Sequence, residues 1–280
     1  HAAYFAGIAN YDYAGFSMQV DTLSRLGASI LRFAVDDIPD TRFLYDASGA
    51  INYDNIQFFS AADYAFLLTY ARRIPALKNL RIGGNAKVIH RSVGDFASAW
   101  GFGIDAGAQL MIRKWKLGLT YRDVFGTFNA WSHNAELVED VYFQTGNIIP
   151  QNSVEITLPR LIAGIAYPLR FREKWGLLMA LDLDMTFDGQ RNTAISTSLV
   201  SVDPRFGLEF DYNQIAFLRG GLNQFQKIKD FDGTHFISYQ PTLGLGVRIK
   251  AVTIDYAFID IGDQSESLYS NIFSLKVTFD

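Results

Sequence analysis

The chain has 280 residues, of which 49% are hydrophobic and 15% aromatic, but only 19% charged; its formal net charge is −4 and it has no cysteine. Ordinary soluble domains hold about 25% charged residues, and the absence of any apolar run of roughly 18 residues excludes a transmembrane helix. The acidic balance offers no basic footprint for nucleic acid, and the missing cysteine fits an envelope protein without disulfides while deciding little by itself.

In chain order, period-two alternation predicts strands near 2–9, 13–20, 25–35, 61–72, 80–91, 98–111 and 115–125, then 154–168, 174–187, 203–211, 214–225, 238–249, 252–262 and 269–279. Successive side chains of a strand point to opposite faces. Residues Trp100, Phe102, Ile104, Ala106, Ala108 and Leu110 therefore share one face, opposite Gly101, Gly103, Asp105, Gly107 and Gln109. Leu177, Met179, Leu181, Leu183, Met185 and Phe187 repeat the pattern against Asp182, Asp184 and Thr186. The last segment repeats it again, with Phe273, Leu275, Val277 and Phe279 against Ser274, Lys276 and Thr278. Many of these strands exceed the globular mode of about five or six residues and reach the roughly 9–11 that a tilted strand needs to cross a bilayer.

The connections sort by length. Tight turns are predicted at 21–24, 73–79, 112–114, 169–173, 212–213 and 250–251, alternating with longer polar loops at 36–60, 92–97, 126–153, 188–202, 226–237 and 263–268. Short turns on one side and long loops on the other are the habit of outer-membrane barrels; a soluble sandwich or lipocalin-like barrel has no reason to sort them. The fold class predicted is all-β: a single transmembrane, antiparallel, up-and-down β-barrel of about 14 strands over residues 1–280. The chain begins at His1-Ala2-Ala3-Tyr4, already in strand pattern, so an export signal is expected to precede it.

With apolar faces toward lipid, the lumen receives Arg81, Lys87, Arg91, Lys116, Arg122, Arg219, Arg248 and Lys276 against Asp105, Asp182, Asp184, Glu209 and Asp255. Buried charges persist when paired or hydrated. These residues make either a polar network that fills a narrow barrel or a polar pathway and ligand site. Glycines on the same faces leave room for both. Trp100, Trp115, Trp131 and Trp175 sit near predicted strand ends, where an interfacial aromatic girdle belongs.

Chemistry is harder to find. His1, His90, His133 and His235 have no second ligand at metal spacing. There is no Gly-x-Ser-x-Gly elbow and no P-loop, and Gly101-Phe102-Gly103 lies inside a strand with no helix to follow it. Asp36-Asp37-Ile38-Pro39-Asp40 could hold calcium through oxygen ligands, but a solvated, proline-set turn is the simpler expectation. No cofactor, no metal and no enzymatic activity are expected. Loops 36–60 and 126–153 are too aromatic for disorder and too long to be idle. Apolar residues on them predict a folded cap or a partner-binding surface carried by Ile38, Phe43, Tyr45, Tyr53, Phe128, Trp131, Tyr142, Phe143 and Ile148.

An ordered set of stretches resembles the PorV/PorQ family of outer-membrane barrels, which accompany type IX secretion in Bacteroidota. The stretches include Asp37-Ile38-Pro39-Asp40-Thr41, Gly83-Gly84-Asn85-Ala86-Lys87, Trp100-Gly101-Phe102-Gly103-Ile104-Asp105, Thr127-Phe128-Asn129-Ala130-Trp131, Thr186-Phe187-Asp188-Gly189-Gln190-Arg191 and Asp203-Pro204-Arg205-Phe206-Gly207. The resemblance implies a barrel like that of FadL fatty-acid transporters, in the outer membrane of a Gram-negative bacterium. It implies a protein that binds and shuttles exported cargo bearing a C-terminal targeting domain, or docks to translocon subunits, through its outer loops. Its expected partners are outer-membrane lipid, secreted cargo and the type IX translocon, with bound lipid or detergent as further occupants. The alternative is a FadL-type transporter of hydrophobic small molecules, and a passive porin is the third reading.

Overall fold

The computed structural model describes the chain except residues 6, 47, 78, 138, 140–142, 144–147, 149–150, 230–231, 261–268 and 280, and except the side chains of His235, Asp260 and Tyr269. Fourteen antiparallel staves close into one barrel. The first six are β1 (Ala2–Phe5), β2 (Ala9–Gln19), β3 (Ser24–Asp40), β4 (Gln57–Arg73), β5 (Leu80–Val93) and β6 (Ala97–Ile112). Two staves are interrupted: β7 (Trp115–Arg122, then Thr127–His133) and β8 (Ser153–Thr157, then Arg160–Phe171). The wall continues with β9 (Trp175–Thr186), β10 (Ser201–Tyr212), β11 (Ala216–Lys229), β12 (His235–Ile249), β13 (Val252–Asp260) and β14 (Tyr269–Val277). Closure falls on β1, where Ala2 pairs with Phe273 of β14 and with Asp12 of β2. A two-residue ladder, Ile195–Ser196, rides on the start of β10.

The staves form because alternation gives each a lipid face and a lumen face, and closure leaves no unpaired edge in hydrocarbon. The burial pattern is that of a soluble protein turned inside out. Among the described residues the buried apolar side chains are Ala3, Ala34, Ala99 and Phe217, whereas Lys87, Asp105, Asp123, Thr127, Asn129, Asp184, Ser201 and Asp211 are buried and polar. Phe66, Leu68, Phe102, Leu208, Leu243 and Leu275 face outward and are exposed.

The short turns use left-handed backbone at non-glycine residues: Arg113, both Arg172 and Glu173, both Asn213 and Gln214, and Lys250. Two consecutive positive φ angles match the right-handed twist of the hairpins they close. The opposite end carries the long connections 41–56, 134–152 and 187–200, together with the brief turns at 7–8 and 94–96. Two predicted loops are therefore shorter than expected. Strand β3 runs through to Asp40 and β4 begins at Gln57, so the loop called 36–60 is 41–56. The acidic run is a bulge in β3, with the register slipping between Val35 and Ile38 and Asp37 at φ 57°. Likewise 126–153 shrinks, because Thr127–His133 pairs with the first half of β6.

Candidate functional site

The lumen is built by the inward residues of the staves, and register fixes which these are. On β5, Arg81, Gly83, Asn85, Lys87 and Arg91 point inward, opposite Arg73, Ala71, Thr69, Leu67 and Asp63 of β4. Toward the long-loop end, Arg91 donates from Nε to Asp63 Oδ1 at 2.9 Å and from Nη1 to Glu155 Oε2 at 3.0 Å. Trp131 Nε1 donates to the same Glu155 oxygen at 2.8 Å, and the Arg91 guanidinium lies 5.0 Å from the Trp131 ring centroid.

Below this layer sits the most enclosed group. Lys87 Nζ lies 2.7 Å from Asp105 Oδ1 and 2.5 Å from Asp123 Oδ1. The Asp123 N–H donates to Asp105 Oδ1 at 2.9 Å, and the Thr127 hydroxyl donates to the Asp123 carboxylate. The break in β7 makes this possible. Asp123 takes φ 53°, Gly126 takes φ 79°, and the Gly126 N–H closes a turn on the Asp123 carbonyl at 2.8 Å. Gly101 and Gly103 of β6 complete the fit: a Cβ at Gly101 would strike the Asn129 amide, and one at Gly103 would strike the Thr127 hydroxyl and the Lys87 chain.

The other wall has its own pairs. Asp184, 1% exposed, receives a two-pronged bond from Arg160 and another from Arg205. Arg219 bridges Glu209 and Asp255 at 2.6 Å each. Arg170 holds Asp211 at 2.9 Å near the short-turn end. Paired, hydrogen-bonded charges of this kind are tolerated inside a protein, whereas removal of one partner leaves the other uncompensated. Cavities remain between the clusters of described residues. One, of about 710 Å³, lies against β2–β7 on the short-turn side of Lys87. Another, of about 370 Å³, is lined by Leu178, Ala180, Glu209, Arg219, Gly221 and Gly244.

The predicted lumen residues divide accordingly. Lys87 meets Asp105, Arg219 meets Glu209 and Asp255, and Asp184 is paired with Arg160 and Arg205, which are not among the predicted lumen residues. Arg81, Arg122, Asp182 and Arg248 form no ion pair with a described residue; Arg248 instead lies 5.2 Å from the Phe217 ring centroid. Asp63, Asp123, Glu155, Arg160 and Arg205 were missed. Alternation along 154–168 places Arg160 on the same face as Gly164, so that signal existed. Asp123 gave none, because it acts from a left-handed break.

The predicted partner-binding residues divide too. Phe43, Tyr45 and Tyr53 stand exposed on loop 41–56, and Phe143 and Ile148 are more than four-fifths exposed. Three others are corrected: Ile38 is in β3 opposite Phe59, Phe128 is on the outer face of β7, and Trp131 points into the lumen toward Glu155. Trp131 therefore leaves the predicted girdle, while Trp100, Trp115 and Trp175 remain exposed on the outside. Tyr142 lies outside the described residues. No group of three or more histidine or acidic side chains able to hold a metal occurs among the described residues.

No family model matches the sequence, and no curated protein does either. Solved structures do match. The toluene transporter TbuX of Ralstonia pickettii superposes with a TM-score of 0.53 at 13% identity, covering 100% of this chain and 86% of that one. The toluene transporter TodX of Pseudomonas putida gives 0.54 at 13% identity, covering 98% and 84%. A FadL homologue of Pseudomonas aeruginosa gives 0.48 at 11%, covering 97% and 78%. The chain is thus an all-β, closed, antiparallel barrel of 14 strands, a fold it shares with the two toluene transporters.

Proposed function

We propose that this barrel carries small molecules across a Gram-negative outer membrane through its lumen. The observation that carries this reading is the interior: salt-bridged clusters that partition the lumen but leave cavities of about 710 and 370 Å³ between them. Cavities of about 300–1,000 Å³ are the size that accepts small organic ligands. Part of the lumen wall is apolar, since Leu31, Phe33, Leu67 and Ile89 point inward with Asp63 and Lys87. The FadL-like fold, shared with two toluene transporters, supports the transport reading and makes small hydrophobic solutes the first to test. The test is uptake of radiolabelled toluene by cells whose outer membrane contains this barrel as its sole such channel. Uptake above that of cells lacking the barrel is expected; equal rates would sink the proposal.

A second reading is favoured by the loop end: a surface for exported proteins, as the likeness to type IX secretion barrels of Bacteroidota implies. Phe43, Tyr45, Ile51 and Tyr53 cluster exposed within one loop, and aromatic side chains are enriched at binding hot spots. A mild-detergent pull-down from the native membrane tests it. Co-purifying proteins with a shared C-terminal domain support cargo docking, and recovery of the barrel alone counts against it.

A further inference from the structure

Three arginines sit together at the short-turn mouth of the larger cavity. Arg73 of β4 and Arg81 of β5 are direct cross-strand partners, and both point into the lumen. Arg25 of β3 points the same way, opposite Ala71, one inward position from Arg73. All three line the cavity of about 710 Å³. None forms an ion pair with a described residue, whereas Arg91, Arg160, Arg170, Arg205 and Arg219 do; the inward Arg122 and Arg248 also lack one, but they lie on separate staves. Like charges directly opposite one another destabilise a sheet, so a cross-strand arginine pair without an internal acid invites an external anion.

The surrounding wall fits that guest. Above the arginines run Ala71, Gly83, Gly107 and Gly118, which project little or nothing into the space, and a Cβ at Gly118 would meet no neighbour within 4 Å. Beyond them Thr69 donates to Asn85 at 2.8 Å, and Gln109 stands opposite Arg81. The acids that touch this cavity are already engaged: Asp105 by Lys87, and Asp21 by the N–H groups of Leu23 and Ser24. Guanidinium groups bind carboxylate and phosphate through paired hydrogen bonds.

We propose that this cavity is a binding site for a small polyanion, a soluble molecule with two or more carboxylate or phosphate groups held by Arg25, Arg73 and Arg81. The inference rests on the transport reading for its purpose, and it adds small polyanions to the hydrophobic solutes named there. The test titrates citrate, and separately its neutral ester triethyl citrate, into the purified barrel in neutral detergent by calorimetry. Citrate binds saturably, triethyl citrate does not, and added salt weakens citrate binding. The double variant R73Q/R81Q loses roughly tenfold or more in citrate affinity, while R113Q, in a turn outside the cavity, binds as the wild type does. Heat-modifiable migration of each variant checks that the barrel is folded. Equal citrate affinity in wild type and R73Q/R81Q, or equal binding of the ester, overturns the site. A barrel that takes up toluene but binds no citrate sinks the polyanion site and leaves transport standing. One that binds citrate through these arginines but moves no solute sinks transport and leaves the site.

Discussion

Lys87 places its ammonium 2.5 Å from Asp123, a residue that reaches it only because β7 breaks between Arg122 and Thr127. The same ammonium holds Asp105 at 2.7 Å, so one cation serves two carboxylates where all three side chains are nearly buried. Substituting Lys87→Met leaves two acids facing one another without compensation. A loss of about 3–5 kcal/mol is expected, the range for breaking a buried pair. Urea unfolding of the barrel in micelles measures it; an unchanged midpoint would mean the cluster is hydrated rather than structural.

Gly103 tests the same cluster by volume instead of charge. Its missing side chain is the space that the Thr127 hydroxyl and the Lys87 chain occupy. Gly103→Ala therefore has to displace both, and overpacking of this kind costs about 1–3 kcal/mol. Gly118→Ala, on the neighbouring stave with open space before it, is the matched control and should fold with wild-type stability. If the two variants unfold alike, crowding around Lys87 is not what Gly103 relieves.

The strand plan was legible because a barrel wall writes itself twice, once as alternation and once as alternating turn and loop length. Leu177 to Phe187 shows the first, and every outward residue there falls on the predicted face. What alternation could not reveal is where a strand stops being regular. Asp37, Asp123 and Gln224 take left-handed φ angles at bulges or breaks, and none is a glycine that would have announced it. Hence alternation gives no sign of Asp123 at the central cluster, and Ile38 and Phe128 read as loop residues although they are in the wall. Pairing was half legible: inward charge was plain, but Asp184 finding both Arg160 and Arg205 depends on the register of three staves.

Loop 41–56 has a pH limit set by Asp46. Its carboxylate accepts from the Ser48 hydroxyl at 2.6 Å and from the N–H groups of Ser48 and Ala50 at 2.8 and 3.0 Å. The Ser48 hydroxyl first, then these backbone donors, hold Asp46 below its usual carboxylate pKa. A depressed folded value means the turn is fully supported above the ordinary range, about 4, and loses that support as pH falls through the lower folded value. The protection of the Ser48 and Ala50 amides, measured against the unstructured rate at the same pH, should hold down to that range and fall in stronger acid, and Asp46→Ala should lower it at neutral pH. Exchange that is equally fast in wild type and variant at neutral pH would show that the carboxylate does not order this loop.

The larger cavity offers a separate test of the route through the barrel. Gly118 lies on β7 between Lys116 and Thr120 on the inward face and lines the cavity; an added Cβ meets no neighbour within 4 Å, so a larger side chain projects into that space. Gly118→Leu then fills space in the cavity while leaving the Lys87 cluster and Arg219 with Glu209 intact. The barrel should assemble and unfold as the wild type does, since nothing is left unpaired and no neighbour is compressed. If solutes pass through this cavity, uptake should fall by an order of magnitude or so, as steric narrowing of a pore controls passage directly. Uptake unchanged in a folded Gly118→Leu barrel would move the route to the opposite wall, where the cavity beside Leu178 and Arg219 offers a second passage.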